Sequence, residues 1–180
     1  MTREEKLVVA LKFVQDEIRY FGIEIGVNSH RPRSPDEVLE SRFGDCKDKA
    51  LLFCQMARLA GWDAYPVLVN SSEGKSLEGW LPSPRAFDHV IARVRGGGNL
   101  LWFDPTISYL GGTAKTVWVP DYGKALVLDG SKEGLRAMPS EKRGSIDVHE
   151  TYACPGFDES GTLEVVSVFR GHEADRMRYQ

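Results

Sequence analysis

Leu7, Leu11, Val14 and Ile18 recur at helical spacing behind Thr2 and Glu5, so the chain is expected to open with an amphipathic helix over residues 3–19, started by a capping box. Residues 20–33, interrupted by Gly22 and Gly26, read as an irregular connection. Ser34-Pro35-Asp36-Glu37 supplies an N-cap, a proline for the first helical position and a capping glutamate, which predicts a short helix to about Ser41. A longer helix is expected from near Asp45 to Gly61. Its Ala50, Leu51, Phe53, Cys54, Ala57 and Leu59 cover more than one side, so it belongs near the centre of the core.

Beyond Gly61 the period changes to two. Residues 64–69 read as a strand, and residues 70–85 as a Ser-, Gly- and Pro-containing loop longer than most connections. His89 to Val94 and Leu100 to Asp104 flank a glycine-rich turn, which predicts an antiparallel hairpin with His89 and Asp104 at its open end. Residues 117–119 and 125–128 are the further strand candidates. The polar stretch 131–144 lacks periodicity and is read as a linker between a core domain over 1–130 and a hairpin over 145–180 that begins a further β-rich domain. Both ends read as cuts through a longer protein.

Composition narrows the partners more than the fold. With 42% hydrophobic and 27% charged residues and a net charge of -3, the chain supports one well-filled core, and nothing in it resembles the basic clusters that bind nucleic acid. No apolar run is long enough to span a membrane. Three cysteines without C-x-x-C spacing argue against a disulfide framework or a zinc site.

One cysteine is placed for chemistry. In Gly44-Asp45-Cys46-Lys47-Asp48-Lys49, Cys46 falls at the first turn of the long helix, where unpaired amides and the helix dipole favour a thiolate. Cys54 reads as core packing and Cys154 as a loop thiol. His89 is the expected general base toward Cys46 and acid toward the leaving group, with Asp104 orienting the ring. Asp88 and Asp45 compete for that role, but Asp88 should face the other side of the strand and Asp45 should cap the helix. The Cys46 backbone amide is the first oxyanion donor expected and Tyr20 the second, with Trp80 and Trp102 as candidates for a substrate groove. A metal held by Cys46, His89 and Asp104 lacks an apparent fourth ligand, so neither metal nor cofactor is expected.

Ile18-Arg19-Tyr20, Ser34-Pro35, Glu37-Val38-Leu39, Arg42 to Ala50, Gly61 to Val69, Asp88-His89-Val90 and Trp102 to Thr106 together resemble the transglutaminase-like superfamily, relatives of papain-type cysteine proteases, over roughly residues 5–130. The Gly-Asp-Cys-Lys-Asp-Lys form is similar to a bacterial subgroup whose core lies between β-rich domains of larger, often exported proteins. The resemblance implies an α+β fold with the nucleophile helix packed on an antiparallel sheet, and Cys46, His89 and Asp104 in the triad positions. It implies cysteine-nucleophile acyl transfer on a peptide or protein, as hydrolysis of an amide or peptide bond or as transamidating cross-linking. The alternative from another class is a module that keeps the core only to bind peptide or envelope polymer.

Overall fold

The structure is a computed structural model and describes residues 1–22, 25–139 and 144–179. The chain divides into two compact units, Met1–Glu141 and Lys142–Gln180. Residues 140–143 of the expected linker lie outside the described residues.

In the first unit, Thr2 and Glu5 cap each other's amides and start helix α1 over Arg3–Lys12. The expected single helix does not run on as α-helix to residue 19. It widens into a π-turn over Phe13–Glu17, and Ile18 is extended. The wider turn shifts the backbone bonding, and the Gln15 carbonyl accepts bonds from side chains elsewhere in the fold. Strand β1 (Arg19–Tyr20) follows, pairing in parallel with β2 (Phe43–Gly44). Between them lies helix α2 (Pro35–Ser41), started by the Ser34–Glu37 capping box.

Helix α3 (Cys46–Leu59) ends two residues before Gly61, with Leu52, Phe53, Cys54 and Ala57 almost fully enclosed and Leu59, expected in the core, exposed. It packs on β3 (Asp63–Val69) and β4 (His89–Gly96) of a five-stranded antiparallel sheet. The sheet order is β5 (Asn99–Phe103), β4, β3, β6 (Lys124–Val127), β7 (Arg136–Ala137). The Phe53 and Phe103 rings meet edge to face at 5.4 Å, joining α3 to the edge strand. Burying each such side chain contributes roughly 1.5–3 kcal/mol. The β4–β5 turn is the two-residue Gly97-Gly98, with φ of 55° and 76°, the left-handed pair that lets a tight turn follow the twist of its strands.

Two expectations change. Val117 to Val119 form no strand, and Val117 and Val119 instead pack against the core from an irregular segment. The stretch read as a linker starts inside the first unit, because Arg136 and Ala137 pair with Ala125 and Lys124. In the second unit, β8 (Ser145–Ala153) and β9 (Thr162–Arg170) form the hairpin expected there, followed by helix α4 (His172–Tyr179). Among the described residues no helix is long and apolar enough to cross a membrane.

Candidate active site

Cys46 is the first residue of α3 and is 6% exposed. The Asp45 carboxylate accepts from the amides of Lys47 (3.1 Å) and Asp48 (3.2 Å), and the Asp48 carboxylate accepts from the Asp45 amide at 3.3 Å. That reciprocal cap leaves the Cys46 amide out. Lys47 closes an ion pair on Asp45. Arg33 reaches in ahead of α2, donating to Asp48 from its amide (2.8 Å) and Nε (3.0 Å) while its guanidinium lies over the Phe43 ring. The polar residues around Cys46 thus anchor the helix start, and space is tight: a Cβ on Gly44 would sit 2.8 Å from that of Asp48.

His89 opens β4 and Asp104 follows β5. The ladder pairs Ala92 with Phe103 and Gly96 with Asn99, so Asp104 lies diagonal to His89 rather than directly opposite. His89 Nε2 is 2.8 Å from Asp104 Oδ2. Cys46 is the other side chain that acts on the ring. Burial alone would lower the ring's pKa. Hydrogen bonds to Asp104 and Cys46 and the negative charge on both outweigh it and push His89 up to about 10, so the ring is an imidazolium at neutral pH.

Asp104 is 1% exposed and fully bonded. Oδ2 also accepts from the Tyr122 hydroxyl at 2.7 Å, and Oδ1 accepts from the Thr106 amide (2.9 Å) and hydroxyl (2.6 Å). Burial would push this carboxyl up, but His89, Thr106 and Tyr122 hold it below the usual carboxylate range. Tyr122 is pushed above the ordinary phenol range by burial and by the Asp104 charge, so it stays a donor, and its ring meets the His89 ring edge-on at 5.6 Å.

A second network lies behind the first. Lys49, one turn after Cys46, is completely buried and donates to the carbonyls of Gln15 (3.2 Å) and Ile18 (2.6 Å). Gln15 Nε2 donates to the Asp104 carbonyl at 2.9 Å. Burial pushes Lys49 down to about 8, against the pull of Asp104 and Asp16.

The other residues singled out from sequence are dispersed. Tyr20 is half-exposed and stands opposite Gly44 in the β1–β2 pair. Asp88 accepts from the Ser71 amide and hydroxyl at 2.7 and 2.8 Å, which commits it to the loop after β3. Trp102 packs with Val67, Val69 and Ile91 in the cluster that also holds Tyr122. Trp80 lines an apolar cavity of about 690 Å³ with Leu68, Phe87 and Leu126. Leu68 alternates along β3 with Val69, the partner of His89, so these strand positions face away from the His89 side of the sheet. Burial pushes the Cys54 thiol up to about 12, which fits core packing. Among the described residues no cluster of His, Cys, Asp and Glu could hold a metal.

Sequence reading missed Thr106, Tyr122, Gln15 and Lys49. Thr106 was legible, since a hydroxyl two residues after an aspartate often bonds back to it. Tyr122 lies in an unpatterned segment, and Gln15 and Lys49 occupy helical positions that periodicity assigns to no task.

Comparison with known proteins fits this arrangement. The sequence pattern of the transglutaminase-like superfamily matches residues 1–105. A solved structure of a candidate protease from Parabacteroides distasonis is similar with a TM-score of 0.57 at 16% identity, over 88% of this chain and 32% of its own, so this chain spans about a third of that protein. A candidate cysteine protease from Cytophaga hutchinsonii is similar over 90% of this chain and 44% of its own at 15% identity, but its TM-score of 0.44 is too low to carry an argument. At these identities the likeness concerns the fold. Among curated proteins none matches. A family pattern covering more than half of the chain, on an α+β fold with a helix-start cysteine against an antiparallel sheet, identifies it as belonging to the transglutaminase-like superfamily.

Proposed function

We propose that the chain is a cysteine-nucleophile acyl-transfer enzyme that hydrolyses an amide or peptide bond, with a peptide or protein as substrate. The observation that carries this reading is the imidazole of His89 bonded to a buried, fully bonded Asp104, with Cys46 at the start of α3 acting on the same ring. A ring held protonated up to about pH 10 is ready to serve the leaving group as acid, the second role expected from sequence. In this reading His89 carries the proton given up by Cys46 as the sulfur attacks.

Sulfur then attacks the substrate carbonyl. The ring gives its proton to the departing amine as the C–N bond breaks, leaving a thioester on Cys46. Neutral His89 next takes a proton from water, whose oxygen displaces the sulfur and releases the acid. The Cys46 amide, which the Asp45 cap leaves out, is the first donor to the oxyanion. Tyr20, held by pairing with Gly44 two residues before the thiol, is the second donor in this reading. The name of the Parabacteroides neighbour accords with a protease, and a parent protein with flanking β-rich domains accords with the share of that neighbour that this chain spans.

The test is incubation of the purified chain with a p-nitrophenyl ester and with casein, followed by intact mass and peptide mapping. An acyl adduct on Cys46 and casein cleavage are expected, both lost in Cys46→Ala. Added hydroxylamine or putrescine separates hydrolysis from transamidation by which product accumulates. A chain that forms no adduct and cleaves nothing would remove the enzymatic reading and leave a binding module.

A further inference from the structure

The π-turn over Phe13–Glu17 is where the nucleophile helix and the Asp104 segment are joined. From one side Lys49 of α3 donates to the Gln15 and Ile18 carbonyls. From the other, three bonds tie the turn to residues 104–109. Gln15 Nε2 donates to the Asp104 carbonyl at 2.9 Å, the Ser108 hydroxyl donates to the Gln15 carbonyl at 2.8 Å, and the Tyr109 amide donates to Asp16 Oδ1 at 2.8 Å. Tyr109 takes a left-handed φ of 62° there, a conformation that a residue with a Cβ adopts only when its surroundings impose it.

Lys49 is an expensive way to fill this space. Its ammonium has no exposure and, among the described residues, bonds to carbonyls with no carboxylate in an ion pair, whereas an apolar side chain of similar length would avoid the desolvation. Gln15 is 2% exposed, and its Oε1 has no hydrogen-bond partner, so only the Nε2 bond to Asp104 offsets burying that amide. Both costly groups end on the same backbone, one directly and one through the other.

We propose that Lys49 and Gln15 are positioning residues that set Asp104, and through it His89, against the nucleophile helix. Lys49 fixes the carbonyls of the π-turn, the turn fixes the Gln15 side chain, and Gln15 fixes the Asp104 backbone so that Oδ2 meets His89 Nε2. The inference rests on the acyl-transfer reading of Cys46, His89 and Asp104. It accounts for the second lysine of the Asp-Cys-Lys-Asp-Lys stretch, which helix capping leaves unexplained.

The experiment compares Lys49→Met and Gln15→Met, which keep side-chain length and remove the donors, by NMR titration of the His89 ring, assigned through His89→Gln. Thermal unfolding is recorded alongside. The groups facing the ring, Asp104, Cys46 and Tyr122, are intact in both variants. Both should lower the His89 midpoint by about one pH unit or more, a tenfold weaker hold on the ring proton, because a misplaced carboxylate stabilises the imidazolium less well. The other three histidines serve as internal controls. Lys49 as a mere source of charge predicts the opposite sign, since removing a nearby cation raises the ring's affinity for its proton.

A rise in Lys49→Met, or unchanged midpoints in both variants with only a lower Tm, would overturn the proposal. Gln15→Met keeps it testable if Lys49→Met does not fold. A wild-type chain that forms no acyl adduct, yet whose His89 midpoint falls in both variants, would refute the acyl-transfer reading and leave the positioning network standing.

Discussion

Replacing Asp104 with asparagine tests the electrostatic heart of the site with almost no change of shape. Four donors converge on the carboxylate: His89 and Tyr122 on Oδ2, the Thr106 amide and hydroxyl on Oδ1. An amide can satisfy one pair only. With its oxygen toward Thr106, its NH2 meets the ring nitrogen and a phenol; flipped, it meets a backbone N–H. The charge that raises the ring is lost in either orientation, and burial, which opposes protonation, then dominates. The ring should fall from about 10 to its ordinary 6.5 or below. At pH 8 the imidazolium population would drop from about 99% to about 3% or less, roughly a 30-fold loss of the protonated ring. Acyl transfer should fall further, by roughly 10³–10⁴, as expected when a triad carboxylate no longer sets the tautomer.

The assay is iodoacetamide labelling of residue 46 at pH 6 to 9 in a Cys154→Ser background, since Cys154 is exposed and Cys54 is enclosed, with ring titration by NMR. Labelling of residue 46 in Asp104→Asn should lag the wild type most at pH 8, where the ring populations differ by about 30-fold, and least at pH 6, where both rings are mostly protonated. Equal labelling, with the His89 midpoint still near 10 in the variant, would refute the claim that the Asp104 charge sustains the imidazolium beside Cys46.

Stability should depend on pH with two opposing slopes. The folded His89 keeps its proton to about 10 against 6.5 when unfolded, so its contribution is full below about 6.5 and is lost as pH rises through about 10. Lys49 is lowered to about 8 from 10.5, so its charged form opposes folding and stability is regained between those values. Urea unfolding, followed by the four tryptophans, all in the first unit, should show stability falling from pH 6.5 to 8 by up to about 1.4 kcal/mol per pH unit, then flattening; a rise over 6.5 to 8 would contradict this. Asp45→Ala removes the α3 cap and the Lys47 pair and should cost about 1–2 kcal/mol in the same assay, while Asp45→Asn should recover most of it. Gly98→Val, at a φ of 76°, should cost about 1–2 kcal/mol or more and broaden the amide resonances of β4 and β5, including His89; an unaffected hairpin would show that the turn does not depend on its glycines.

Local chemistry determined much of this protein from sequence alone. The two capping boxes, the Asp45 cap at Cys46, the glycine-turned hairpin and the buried face of α3 each depend on residues a few positions apart, so their patterns survive in one dimension. The meeting of His89 and Asp104 was legible for the same reason, because a hairpin relates distant positions by counting outward from its turn. The count erred only in detail: the two-residue turn sets a register that leaves Asp104 diagonal to His89, and its side chain covers the offset.

What tertiary structure alone decided is the company these residues keep. Tyr122 lies 18 residues beyond Asp104 in a segment without periodicity, and Gln15 lies 89 residues before it, yet both end as its hydrogen-bond donors. The π-turn that exposes the Gln15 carbonyl interrupts a stretch whose apolar spacing predicts plain helix, and the segment after β6 becomes an edge strand without any strand pattern. No local preference encodes such contacts. They follow from packing, which in a dry interior must supply partners for most buried charges and carbonyls, wherever in the chain those partners lie.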